Sequence, residues 1–473
     1  MQQSRLGKRV EAIDTLRGIA IFGMVLSGSI AFGDILPAWM YHAQVPPPLH
    51  QFNPALPGIT WVDLVFPLFL FCMGAALSFS VAGKLASGKT KSQISFEACK
   101  RYLQLLFFAL FFQHCKAWVI HENPLVEDQL ISIMGFLLIG GQLVDLKGRV
   151  STQWQKIIKY SSYLLGVTLL YILPFKDGRG FDFYRSDIII VVLANMAFFA
   201  AIIYLLTLNR PVVRGLVLLV VAAIILSSRE ASDNVVKQFF NFKAIAGISF
   251  DWAYKFYFLK YLMIVLPGTW AGDLLFHYQP PMERKPVSVR LLEVLLPFVL
   301  LITLLALLFI RTSEGYNFLI LFLLGVLSWF RFRKSADQAI QKSIAYAGLY
   351  MLLLGLLLEP YEGGIKKDPS TFSYYFVTSG FGFWGLLLLL DLESSNWIGF
   401  LRKFLGALGR NPLVAYATGS LFILPLLSLL SLKDSWDSWA HTPWQGFLKG
   451  IIFTLLVSGV TLLFNRLRLF WRA

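Results

Sequence analysis

The feature that most limits what this chain can fold into is the recurrence, from end to end, of apolar runs about 17 to 22 residues long. Each can cross a hydrocarbon core of about 30 Å as a helix rising 1.5 Å per residue. A soluble core does not need so many. With 57% hydrophobic and 15% charged residues over 473 positions, too little polar surface remains to cover a globule. The expected fold is therefore all-α: a polytopic transmembrane helical bundle forming one domain over residues 1–473. Spans are expected at roughly 16–36, 61–82, 102–120, 128–146, 157–174, 188–208, 212–227, 258–277, 291–310, 316–330, 343–359, 372–391, 412–432 and 446–465. That makes about fourteen, an even number. The run holding Pro267-Gly268 and the run from Tyr316 to Phe330 are short or interrupted, so about twelve crossings with two re-entrant or interfacial pieces is the alternative.

The formal net charge of +15 does not point to nucleic acid, because the basic residues alternate with apolar spans and build no continuous face. They read as topology signals. The cytoplasmic set comprises Arg5, Lys8 and Arg9, then Lys84 to Arg101, Lys147 to Lys159, Arg210 and Arg214, Arg284 to Arg290 and Arg331 to Lys342. It continues with Arg402, Lys403, Arg410, Arg466, Arg468 and Arg472. By the positive-inside rule both termini are cytoplasmic. The N-terminal stretch lacks the pattern of a cleavable signal, so the first helix is expected to stay as an anchor. Cys72, Cys99 and Cys115 show neither metal-ligand spacing nor a C-x-x-C pair and are assigned to packing; no metal is expected.

One connection differs from the rest. Residues 37–60, between the first two spans, contain no Lys or Arg, many prolines, and two of the six histidines, His42 and His50. The sign rule puts this loop outside, and its prolines favour a stiff extended path. Asp63 follows at the mouth of an otherwise apolar span, where a carboxylate is costly unless paired or functional. Asp14 and Arg17, three residues apart, share a helix face at the inner end of the first span and can pair. His114 and His121, at the outer end of the third span, are read as satisfied interfacial histidines, and the segment 228–258 as an interfacial outer helix.

Asp14-Thr-Leu-Arg17-Gly18, followed after the histidine loop by Gly58-Ile-Thr60-Trp-Val-Asp63-Leu-Val-Phe-Pro67 and Gly74, resembles the heparan-α-glucosaminide N-acetyltransferase family of multi-span acyltransferases. Pro267-Gly268-Thr269-Trp270-Ala-Gly272-Asp273 resembles that family's glycine-rich helix. The stretch Lys366-Lys367-Asp-Pro-Ser370-Thr371-Phe-Ser373-Tyr374 resembles its late outer segment, and Leu408-Gly409-Arg410-Asn411-Pro412 the start of one of its last helices. The resemblance implies transfer of an acetyl group from cytoplasmic acetyl-CoA to an amino sugar or glycan on the far side, with an outer-loop histidine as the key group.

His50 is the first match to that histidine because it lies nearest the Gly58–Asp63 run, with His42 as the alternative and Asp63 beside them. A neutral imidazole can take the proton of an attacking amine or accept the acyl group itself. Asn53, Thr60 and Ser373 are candidate donors to the tetrahedral intermediate. The phosphates of CoA call for basic groups at the inner face: Arg17 first, beside Asp14, with Lys100, Arg101, Arg410 and the adjoining Asn411. Lys366 and Lys367 either hold an anionic glycan or are balanced by Glu359, Glu362 and Asp368.

Two departures stand out. Ser27-Gly28-Ser29 occupies the place of an asparagine pair in relatives, and Asp128-Gln129-Leu-Ile-Ser132 keeps only a Gln of the fourth-span Gln-Arg motif. The readings left open are O-acylation of a surface polysaccharide and a non-enzymatic transporter or flippase of glycan intermediates on the same scaffold. Expected partners are acetyl-CoA, the glycan acceptor and the lipid bilayer, with a homodimer as the candidate assembly. A bacterial inner membrane fits the sequence best.

Overall fold

The computed structural model describes residues 10–228, 234–245, 247–278, 287–333, 338–393 and 398–472. Among the basic residues assigned to the inner set, Arg5, Lys8, Arg9, Arg284, Lys285 and Lys334 lie outside these, as does part of the segment 228–258.

A helix lies at each of the fourteen expected positions: α1 (Glu11–Ser27), α2 (Trp61–Ala86), α3 (Lys91–His114), α5 (Val126–Leu143), α6 (Thr152–Ile172), α7 (Ile188–Leu206), α8 (Pro211–Ser227), α10 (Leu262–Leu275), α11 (Val287–Ile310), α12 (Glu314–Phe332), α13 (Ala339–Tyr361), α14 (Phe372–Leu392), α16 to α17 (Pro412–Thr418, a π turn, then Leu424–Leu429) and α19 (Pro443–Arg466). Among the described residues, nine helical stretches are long and apolar enough to cross a membrane. Short helices α4 (Ala117–Ile120), α9 (Val235–Phe240), α15 (Gly399–Arg410) and α18 (Lys433–Ser438) decorate the ends.

Boundaries moved where local chemistry overrode hydropathy. The first helix stops at Ser27 rather than running to 36: Gly28 forms its C-cap, and Ser29 Oγ turns back to the carbonyl of Val25 at 2.7 Å. The third begins at Lys91, well before 102, because Thr90 and Gln93 close a capping box around its first turn. The segment 228–258 is only partly helical: α9 is followed by a hairpin pairing Ala244–Ile245 with Ile248–Ser249.

The span with Pro267 is not broken. Proline frees the carbonyl four residues before it. For Pro267 that carbonyl is Met263, and Ser379 Oγ from α14 meets it at 3.2 Å. Pro67 in α2 frees the carbonyl of Asp63, which Tyr374, also from α14, meets with its hydroxyl at 2.8 Å. Inside a bundle, an unmet carbonyl would cost several kcal/mol, so α14 supplies the donors that let both prolines stay.

Glycines set the closest approaches. A Cβ on Gly74 of α2 would land on the carbonyl of Val265, and one on Gly268 or Gly272 of α10 on the carbonyls of Phe71 or Ala75. The two helices therefore touch backbone to backbone, as small residues spaced by four allow. Gly18 of α1 and Gly409 of α15 do the same against Leu405 and Asp14. The motif at Asp14–Gly18 and the motif at Leu408–Pro412 are thus parts of one contact.

Contacts tie several connections together at the two opposite ends of α14. At one end Gly58 N–H donates to Ile365 O at 2.7 Å, joining the loop before α2 to the loop before α14. At the other end Arg402 meets Glu11 at 3.0 Å, Arg331 meets Asp391 at 2.6 Å, and Arg472 of the tail meets Asp145 at 2.7 Å.

Candidate functional site

The site is built from the N-cap of α2 outward. Thr60 Oγ accepts from Val62 N–H at 3.2 Å, and Asp63 Oδ2 accepts from Thr60 N–H at 2.9 Å, the reciprocal bonds of a capping box. Thr60 Oγ also donates to the carbonyl of Tyr41 at 2.7 Å, which draws the histidine loop over the helix start. The result is that Asp63, only 2% exposed, meets His42: Nδ1 lies 2.8 Å from Oδ1, and the neighbouring Ala43 N–H lies 3.2 Å from Oδ2. A buried carboxylate of this kind accepts a proton-bearing nitrogen, so Nδ1 of the neutral ring carries hydrogen and Nε2 carries the lone pair.

Lys367 completes the group. Its ammonium is 3.1 Å from Nδ1 and 3.3 Å from Nε2 of His42, and 3.9 Å from Asp63 Oδ1. Near-equal distances to both ring nitrogens place it over the ring rather than in line with either lone pair. Although 29% of the side chain reaches the surface, the protein around it is dense. Burial pushes the Lys367 pKa below the usual lysine range, with Asp63 and Asp368 acting the other way. The loop that carries it is fixed by Gln44, 3% exposed, whose amide both accepts from Asp368 N–H and donates to Asp368 O.

His50, the first choice from sequence, is elsewhere. Its ring packs edge-on against Tyr41 and Phe32, and its Nε2 faces the backbone of Gly33 at 2.9 Å from N and 3.1 Å from O. Proximity in sequence to the Gly58–Asp63 run does not become contact because the chain doubles back: the cap at Thr60 brings the Tyr41-His42 end of the loop to Asp63. His50 holds the loop's shape.

The other expected residues divide. Asn53 is exposed at the loop surface and spends its side-chain oxygen on Ala55 N–H at 3.0 Å. Ser373 is fully buried and donates to Thr371 Oγ at 2.8 Å inside the first turn of α14. Neither reaches His42 through any hydrogen bond among the described residues. Lys366 contributes its backbone, donating to Thr371 Oγ at 3.0 Å. Glu359 pairs with Arg311, and Glu362 caps α14 by accepting from Phe372 and Ser373 N–H, both at 2.8 Å. Of the three acids expected to balance the lysine pair, Asp368 alone acts on Lys367.

At the opposite end Arg17 pairs with Asp14 and donates to the carbonyl of Gly409, while Arg101 of α3 is near enough for the two guanidinium charges to interact. Arg410 bonds back to Gly406 O at 3.3 Å. Asn411 clamps the chain's end. Buried, it donates to Leu469 O at 3.0 Å and accepts from Trp471 N–H at 3.1 Å, fixing the C-terminal tail. Between the two ends an apolar cleft opens among α1, α2, α7 and α16, lined by Ile21, Phe66, Phe69, Ile190, Leu413 and Tyr416 among others.

His114 behaves as expected, with Nδ1 on Leu110 O at 2.8 Å. His121 does not. It meets Asp128 at 2.8 Å, and Asp128, 2% exposed, also accepts from Leu125 N–H at 2.7 Å at the start of α5. This repeats the His42–Asp63 arrangement: an aspartate in the first helical turn, a backbone donor on one oxygen, a loop histidine on the carboxylate. The sequence signal was available, since Asp128 stands just inside an apolar run seven residues after His121.

A comparison with curated proteins finds no match. The sequence profile of a domain of unknown function, DUF5009, matches residues 9–275, which take in Asp14, Arg17, His42 and Asp63 and end before Lys367. That match covers more than half of the chain, which therefore belongs to the DUF5009 family.

Proposed function

We propose that the protein moves an acetyl group from acetyl-CoA, taken up at the Arg17 end, to the amine of an amino sugar or glycan at the His42 end. The supporting observation is the His42–Asp63 pair, which leaves the Nε2 lone pair to act as a base in a side chain that is 38% exposed. In the transfer the amine nitrogen attacks the thioester carbonyl, the C–N bond forms as C–S breaks, Nε2 takes the amine proton, and the thiolate recovers it. Base assistance of this kind contributes about 10²- to 10⁴-fold. Arg17 and Arg101 set two guanidiniums against the single carboxylate of Asp14, a balance suited to phosphates. The apolar cleft begins one helical turn from each: Ile21 follows Arg17 by four residues and Phe66 follows Asp63 by three.

The reading has the His42 end outside and the termini in the cytoplasm of a bacterial inner membrane. A cysteine replacing Asn53 should then react with an impermeant maleimide added outside, and labelling from the inside only would invert the topology. For the chemistry, purified protein is incubated with labelled acetyl-CoA and a panel of amino sugars and hydroxyl-bearing glycans. Acceptor-dependent label transfer is expected, lost in His42→Ala and largely kept in His50→Ala. A hydroxyl acceptor that outruns every amine would make the enzyme an O-acetyltransferase. No transfer and no acceptor-dependent CoA release would end the acyltransferase reading.

A further inference from the structure

The ammonium of Lys367 has no role in the proton transfer just described, yet it lies over the ring that performs it. The groups facing His42 come from two elements. Asp63, at the start of α2, lies in the ring's hydrogen-bonding plane on the Nδ1 side. Lys367, from the loop before α14, lies over the ring, and Asp63 and then Asp368 are the negative charges that act on it. Tyr374 meets the backbone carbonyl of Asp63 and leaves its carboxylate alone. So one negative and one positive charge both touch the imidazole, 2.8 and 3.1 Å from Nδ1, and lie 3.9 Å from each other.

We propose that Lys367 is a positioning residue that holds His42 as free base and couples the ring's protonation to the presence of an anion on the ammonium. Asp63 by itself would favour an imidazolium, which donates from both nitrogens and has no lone pair for a substrate proton. The lysine opposes this by like-charge repulsion at contact range. When an anionic group of an acceptor, such as a carboxylate or sulfate, takes the ammonium, the repulsion on a forming imidazolium falls. The base then gains proton affinity at the moment it is needed. An uncharged acceptor leaves the lysine over the ring and gains nothing from it.

His121 is a built-in reference. Its Nδ1 also meets a helix-start carboxylate, at 2.8 and 2.9 Å from the two oxygens of Asp128 where His42 meets one oxygen of Asp63, but among the described residues no ammonium bonds to its ring.

The inference rests on the reading of His42 as the base, and its test does not need turnover. Full-length protein labelled at histidine 13Cε1 is titrated by NMR, with the His42 signal assigned by its loss in His42→Gln. Lys367→Met should raise the His42 titration midpoint by about one pH unit, roughly a tenfold change in proton affinity, while Lys367→Arg stays near wild type. Sulfate should raise the His42 midpoint in the wild-type protein and not in Lys367→Met, with His121 unmoved throughout. The sulfate arm uses the unaltered chain, so it stands even where a variant folds poorly. Equal midpoints in wild type and Lys367→Met, or a sulfate shift shared by His121, would overturn the proposal. Absent acetyl transfer with the NMR shifts intact would overturn the acyltransferase reading alone.

Discussion

Replacing Asp63 by asparagine changes one atom and tests the dyad directly. In the native protein the carboxylate accepts from His42 Nδ1 at 2.8 Å, Thr60 N–H at 2.9 Å and Ala43 N–H at 3.2 Å, so every direction around it asks for an acceptor. An asparagine has one acceptor oxygen and one NH2 group. If the oxygen keeps Thr60, the NH2 group faces His42 and forces the ring to accept at Nδ1, which moves its hydrogen to Nε2. The base is then in the wrong tautomer. Where a carboxylate that orients a catalytic histidine has been replaced this way in other enzymes, turnover falls about 10⁴-fold with the geometry intact.

The stability cost should be far smaller, about 1–3 kcal/mol for one mismatched buried group. Thr90→Ala is the control, since it removes the hydroxyl cap of α3, beyond the end of α2 opposite Asp63, costing about 0.5–2 kcal/mol, and leaves the His42–Asp63 bond. Acetyl transfer and thermal unfolding would be measured on both variants in the same detergent. The expected pattern is a large rate loss in Asp63→Asn and a small one in Thr90→Ala at comparable melting temperatures. Wild-type turnover from a folded Asp63→Asn protein, or rate losses that track melting temperature in both, would refute the reasoning.

Gly268→Leu drives a side chain into the backbone of α2 at Phe71 and should destabilise by at least the 1–3 kcal/mol of an overpacked core, read as lost monodisperse yield in gel filtration. Tyr374→Phe leaves the carbonyl freed by Pro67 without its donor and should cost about 1–3 kcal/mol in urea titrations while the dyad stays assembled. Asn411→Ala removes both bonds to the C-terminal tail and should speed proteolysis after Arg468 or Arg472 with acetyl-CoA affinity unchanged; a weakened affinity would return Asn411 to the donor site.

Hydropathy alone determined that this is a helical membrane bundle, and it located the helices, because the cost of exposing backbone polar groups to lipid leaves a long apolar run few alternatives. It also flagged Asp63 as a carboxylate that needs a partner. It could not name the partner. His42 and His50 both precede Asp63 in one proline-rich loop, and only the path of that loop decides which ring arrives. The capping box at Thr60 and the bond to Tyr41 O choose His42. Lys367 is more than 300 residues away and reaches the ring because glycine contacts and proline-freed carbonyls bind α14, α10 and α2 together. Residue types and spans are local properties that a sequence carries openly. A site assembled across the bundle depends on which helices touch, and that was decided by packing.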